Sequence, residues 1–180
     1  MANKSVLVAG QIMAHNVDSL IKNAKYASGA VENGHVVTLG DLSSTAGEEE
    51  VYVAALPATA GLATDVFYMV NEPVIVMTEG YKGLNDNPQN FEVEAGKVFN
   101  AFRPQIGDEV VITEAGLGGT KSTNTYIVPA NATGKLTWAA DADGVSTAFK
   151  LVETTSVEIP SANFWNSKAV AYKFQCVKAV

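Results

Sequence analysis

A glycine-rich stretch ending in Lys-Ser, Gly116-Leu117-Gly118-Gly119-Thr120-Lys121-Ser122, is the first place where residue type and spacing suggest chemistry, because such loops can cradle phosphates. The spacing defeats it. A phosphate loop needs Gly directly before its Lys and four residues between its glycines, whereas Thr120 precedes Lys121. The run Thr125-Tyr126-Ile127-Val128 that follows reads as strand, not as the required helix, so these glycines read as a hairpin connection. They contain no Gly-x-Gly-x-x-Gly dinucleotide fingerprint either. Asp141-Ala142-Asp143-Gly144 looks like part of a calcium loop, but the loop would need an acid at position 139 and a Glu at position 150, where Ala139 and Lys150 stand. Asp-Gly is then a turn. Two histidines, His15 and His35, and a single cysteine, Cys176, complete the reactive inventory. No His-Glu-x-x-His or Gly-x-Ser-x-Gly occurs, so no catalytic residue is nominated and no cofactor or metal is expected. Glu92 and Glu94 share a strand face, and Glu48-Glu49-Glu50 reads as a solvated loop run.

The aromatic residues can do the chemistry of stacking. Phe99 and Phe102 read as core, whereas Tyr81 lies in a Gly-rich loop and Phe164-Trp165 in a polar connection. Adjacent residues on a strand face opposite ways, so one of the rings at 164 and 165 is placed at a surface or at a barrel end. Two readings stay open for Tyr68, Tyr81, Phe91, Trp138, Phe164 and Trp165. They plug the ends of a barrel, or they offer flat faces to a sugar or a protein partner. Cys176 sits in the apolar stretch 169–177 and reads as a small buried thiol.

The elements that position these residues are strands. Residues 1–23 form an N-terminal arm, extended over Val6–Ala9 and then partly helical, since Met13, Val17, Leu20, Ile21 and Ala24 recur at helical spacing. The arm packs either on its own core or on a neighbour. Its candidate contact residues are Val6, Leu7, Val8, Ile12 and Met13, joined by Tyr81 and Trp165. On the docking reading, removal of residues 1–20 leaves a folded β domain. From residue 24 onward short apolar runs are bounded by turn residues. Asn33-Gly34 predicts a type I′ hairpin between 30–32 and 35–39. Further strands are expected at 51–56, 66–70, 74–78, 98–102, 109–113, 125–128 with a stop at Pro129, 135–138, 148–158 with an interruption at 154–156, and 168–177. Residues 79–91 read as loop. The fold class is all-β, an antiparallel barrel or sandwich behind the arm. Residues 24–180 form one β domain, readable as two lobes, 24–96 and 97–180.

Composition sets the partners. The chain has 180 residues, 12 Lys and Arg against 19 Asp and Glu, and a net charge of −7. Arg103 is the lone arginine, which argues against nucleic acid, whose binding draws on Lys and Arg at the phosphates. No apolar run approaches the roughly 20 residues a bilayer needs, so no membrane partner is expected. The apolar run after Lys4 is cut short by Gln11, and the N-terminus reads as an ordinary cytoplasmic start.

Short phrases of the sequence resemble a family. Ile21-Lys22-Asn23-Ala24-Lys25-Tyr26-Ala27-Ser28-Gly29-Ala30-Val31-Glu32-Asn33-Gly34-His35-Val36-Val37-Thr38-Leu39-Gly40, Tyr81-Lys82-Gly83-Leu84, Glu94-Ala95-Gly96-Lys97-Val98-Phe99 and Ile106-Gly107-Asp108 are similar to segments of small head structural proteins of tailed bacteriophages, the capsid decoration proteins. The resemblance spans roughly residues 21–180 and leaves the arm as an addition. It implies a non-enzymatic virion protein, made in the bacterial host cytoplasm and carried on the capsid exterior. The implied partner is the major capsid protein, with a homotrimer or another homo-oligomer on the shell axes. A reading from another class is a β-sandwich carbohydrate-binding module for bacterial surface glycans, using Tyr81, Trp138 and Trp165.

Overall fold

Runs rich in Val, Thr, Ile and Tyr, broken by Gly, Asn and Asp, favour pleated strands, and the chain is mainly β. The computed structural model describes residues 3–74, 77–78, 81–82, 87–159 and 167–180. In chain order the strands are β1 (Leu7–Gln11), β2 (Ile21–Lys25), β3 (Val36–Leu42), β4 (Val51–Ala55), β5 (Phe67–Val70), β6 (Met77–Thr78), β7 (Tyr81–Lys82), β8 (Val98–Phe102), β9 (Glu109–Thr113), β10 (Leu117–Gly118), β11 (Tyr126–Ala130), β12 (Thr133–Ala139), β13 (Ala148–Ile159) and β14 (Ser167–Lys178). Strands β2-β4-β3-β5-β8 close a barrel, and β1-β9-β14-β13-β11-β12-β10 form a seven-stranded sheet. Two ladders depart from the expected antiparallel pattern: β2 with β4 and β10 with β12 run parallel. Among the described residues the helical segments are three-residue 3-10 turns, and no helix is long and apolar enough to cross a membrane.

Partners across a ladder share a face, and successive residues alternate. That rule sorts the barrel. Ala24 pairs with Phe99 and Tyr52, Ala101 with Lys22 and Val70, Val37 with Tyr68, and Leu39 with Ala54. These positions face the interior, where Ala24, Val37, Ala54, Val70, Phe99 and Ala101 are buried together. A bridge between Val31 and Val93, with Tyr26 and Phe91 packed on the same cluster, closes one end. Residues of the opposite parity, Val36, Met69 and Phe102, face outward. They join Ile112, Ile127, Leu136, Phe149 and Phe174 in a second core between barrel and sheet.

Several expectations are revised by pairing. Strand β8 completes the barrel, so the chain crosses to the second sheet after Phe102 and not at the expected lobe boundary of 96/97. Of the two readings open for the arm, packing on its own core is the one adopted: β1 pairs with β9, and Val6 and Ile12 are buried. Its helical stripe becomes two 3-10 turns, Met13–His15 and Asp18–Leu20, and then a strand, because Ile21 and Ala24 gain ladder partners in Phe102 and Phe99. Asn33-Gly34 does turn, with His35 N–H donating to Glu32 C=O at 3.0 Å, but only Gly34 has positive φ (+86°). This is a type II-like turn, not type I′. The Asn33 side chain is occupied by Glu72, donating to its carbonyl and accepting from its N–H, both at 2.8 Å. Val31 meets Val93, and β3 pairs with β4 and β5, so no hairpin forms there. Pro129 continues β11 beyond the Tyr126–Ile127 pairing with β13, where its missing N–H costs no bond on that side. Strand β13 runs through 154–156 without a break, backed by Val170, Ala171 and Tyr172.

Candidate docking surface and a buried polar cluster

The arm is stitched down by main-chain bonds. Val6 N–H donates to Thr113 Oγ1 at 2.9 Å, and Thr113 N–H donates back to Val6 C=O at 3.1 Å. Asp108, itself buried, accepts Met13 N–H and Gln105 N–H on its two carboxylate oxygens, each at 2.8 Å. Of the five arm residues nominated as contacts, Val6 and Ile12 therefore point inward and Leu7 is half-buried. Val8 remains 45% exposed and Met13 49%. Met13 and Ile106, the latter 67% exposed, border one shallow hollow of about 490 Å³ with Gln11, His15 and Asn16. Strand β1 pairs on one side only among the described residues, and Leu7–Gln11 carries no charged side chain. An uncharged edge strand is a template for pairing with another chain.

Directly behind the arm a serine, a histidine and a glutamate converge. Ser5 N–H donates to Glu32 Oε2 at 2.8 Å, and that oxygen stands 3.8 Å from His35 Nε2. Lys4 pairs with Glu92 and approaches Glu32 Oε1 at 3.6 Å. Ser5 Oγ and His35 Nε2 are both buried without a hydrogen-bond partner. A Ser-His-acid triad needs one ring nitrogen on the acid and the other on the nucleophile. Here Nδ1 accepts the Glu32 backbone N–H at 3.2 Å, so it does not donate to an acid, and no bond joins Nε2 to Ser5 Oγ. The cluster joins the segment before β1 to the turn at 32–35, and the hydrogen-bond chain of a triad is not formed in it. Burial holds the His35 imidazole neutral, its pKa lowered to about 4, with Lys135 and Lys4 adding to the effect and Glu32 opposing it. The 3.8 Å approach is accordingly not an ion pair at neutral pH. Two glycines make room: a Cβ at Gly116 would stand 2.0 Å from Ser5 Oγ, and one at Gly134 would stand 2.8 Å from His35 Nδ1.

The remaining nominated positions divide. Trp138 is buried at 8% exposure, with its ring centroid 5.2 Å from Tyr172 in an edge-to-face pair and 5.4 Å from Phe174. It cannot stack on a sugar. Phe99 and Phe102 are core, as expected. Tyr81 contributes backbone to β7, but its side chain and the whole of Trp165 lie outside the described residues. Gly144 takes positive φ (+68°) in a turn where Asp143 N–H donates to Asp141 Oδ1, consistent with a plain Asp-Gly turn. Cys176 is buried, and burial pushes its thiol pKa up to about 12. Sequence reading did not single out Lys22, Asp41, Tyr52 or Asp65, which converge with Tyr68 on the unplugged end of the barrel. The alternation Tyr52-Val53-Ala54 held part of the signal, but only barrel closure brings the five together. Comparison of the chain with protein-family models, curated proteins and solved structures finds no match.

Proposed function

We propose that this chain is a non-enzymatic bacteriophage virion protein that binds the outside of the major capsid shell and stabilises it. The observation that carries the reading is the uncharged edge of β1, unpaired among the described residues, with Val8 on the strand and Met13 just after it exposed. A strand edge can accept an extended segment of a shell subunit by main-chain pairing, with aliphatic side chains supplying the apolar part of the contact. Binding at many identical lattice sites asks only for a modest interface per copy, about 800 Å² on each partner for one of standard size. The phage-like phrases at 21–40, 94–99 and 106–108 add support. Ile106-Gly107-Asp108 borders the same hollow as Met13, and Asp108 holds the arm in place. A homotrimer on local shell axes fits this use, because closed cyclic assemblies are the usual outcome of self-association.

The test is stoichiometry and re-binding. Purified particles should contain this chain at a fixed simple ratio to the major shell protein. Particles stripped of it should take it back, and Val8→Glu with Met13→Glu should abolish uptake while leaving the fold intact. Absence from particles would overturn the reading. A handful of copies per particle would replace lattice decoration by a vertex, plug or tail position.

A further inference from the structure

The barrel has two unlike ends. One is closed by Val31, Val93, Tyr26 and Phe91. The other opens into a hollow of about 820 Å³, within the roughly 300–1,000 Å³ of small-molecule sites, and barrel mouths are among the places where such sites occur. Register explains its lining. Lys22 and Tyr52 stand at the starts of β2 and β4, Leu39 lies on β3 and Tyr68 on β5, all at interior-facing positions toward the same end. Each is half-buried, neither committed to the core nor fully in solvent.

We propose that this open mouth binds a neutral saccharide, with Tyr52 and Tyr68 as stacking faces and Asp41 and Asp65 as acceptors for sugar hydroxyls. The chemistry matches the lining. Tyrosine rings present an apolar face with a polar tip, which suits the C–H faces and hydroxyl edges of a pyranose. Lys22 Nζ lies 5.9 Å from the Tyr52 ring centroid, which orients that ring from one side. Two carboxylates at the rim disfavour an anionic ligand, and Leu39, Val53 and Val66 set apolar wall beside these charges, the mixture that a sugar with C–H faces and hydroxyl edges matches. The rim is built rather than slack. Asp65 N–H donates to Gly61 C=O at 2.7 Å, and Ser146 Oγ–H donates to Asp65 C=O at 2.6 Å, pinning the mouth to the second sheet's loops. The Asp65 carboxylate occupies the space that any side chain at residue 61 would need, since a Cβ on Gly61 would lie 1.7 Å from Oδ2.

No residue of β1 or its flanking turns lines the mouth, so this site does not rest on the shell-binding reading. The full chain should be titrated with maltotriose, N-acetylchitotriose and raffinose, read by calorimetry and by saturation-transfer NMR, with sialyllactose as the anionic comparison. At least one neutral trisaccharide is expected to bind with a Kd of about 1 mM or tighter, and sialyllactose more weakly. Tyr68→Ala should weaken that binding about tenfold or more, and Asp41→Asn, at an exposed rim position where folding is not at stake, several-fold. Val8→Glu should leave it unchanged. Silence of all three neutral sugars would overturn the proposal, as would affinity undiminished in Asp41→Asn and in folded Tyr68→Ala.

Discussion

His35 is a base buried in its neutral form, and that has a consequence for stability. The folded chain holds the imidazole unprotonated down to about pH 4, while the unfolded chain takes up a proton near 6.5. Between those values the unfolded state binds more protons, so stability falls as pH drops through the window and is undiminished above it. The separation corresponds to about 3 kcal/mol. Denaturant titrations at about pH 7 and about pH 4.5 on the native chain and on His35→Gln isolate this part from the carboxylates. Equal losses in both proteins would refute the neutral-imidazole account. Cys176 makes a second prediction at the same scale. With its thiol pushed up to about 12 by burial, it should resist thiol reagents in the folded chain and react only in denaturant. Ready modification under native conditions would contradict its place in the core.

At the scale of the element, a tight joint lies where the segment before β1 crosses the turn at 114–116. A methyl group on Gly116 would meet Ser5 Oγ at 2.0 Å, Ser5 Cβ at 2.8 Å and Ile112 Cγ2 at 2.9 Å. Gly116→Ala should therefore cost about 1–3 kcal/mol. Ser5→Gly removes the two nearest atoms and should recover part of that cost, so the double-mutant cycle should be non-additive. Simple additivity would show that the strain lies elsewhere. Strand β1 is structural as well as exposed. Deleting residues 1–12 removes Val6 and Ile12 from the core and strips β9 of one partner, a loss of about 3–6 kcal/mol from the two side chains alone. Val8→Glu, by contrast, should change stability by only about 0.5 kcal/mol. Truncation thus cannot separate docking from folding, and point substitution can.

Over the whole molecule, barrel and sheet are joined by the core that lies between them. Val36, Met69 and Phe102 reach from the barrel into the cluster built by Val110, Ile112, Ile127, Phe149 and Phe174. The chain also enters the sheet twice, through β1 before the barrel strands β2 to β8 and through β9 to β14 after them. A single cooperative unfolding transition is expected, with coincident loss of far-ultraviolet and tryptophan signals. Fragments cut at 96/97 should fail to fold, since the first would lack β8 and the second would carry it with no barrel to join. Two separate transitions, or a folded fragment of residues 24–96, would show that the layers are independent.

Local composition determined a good deal of this. Val98–Phe102 and Glu109–Thr113 are legible as strands to the residue, because an apolar β-branched run bounded by Gly, Pro and Asp has little else it can form. The burial of Phe99, Phe102 and Cys176 follows from the same patterns. What lay beyond the sequence was every question of which strand meets which. Asn33-Gly34 signals a turn, but Glu72 claims the Asn33 side chain and Val93 claims Val31, so the local hairpin loses to partners some forty and sixty residues away. Ile21 and Ala24 sit at helical spacing yet become strand, because Phe102 and Phe99 supply ladder partners that the arm alone does not contain. The barrel mouth is the extreme case. Lys22, Asp41, Tyr52, Asp65 and Tyr68 have no common local pattern, and they converge only because closure of β2-β4-β3-β5-β8 brings four separate stretches to one rim. Propensity and periodicity act over a few residues, whereas register is decided by the burial and hydrogen bonding of distant segments together.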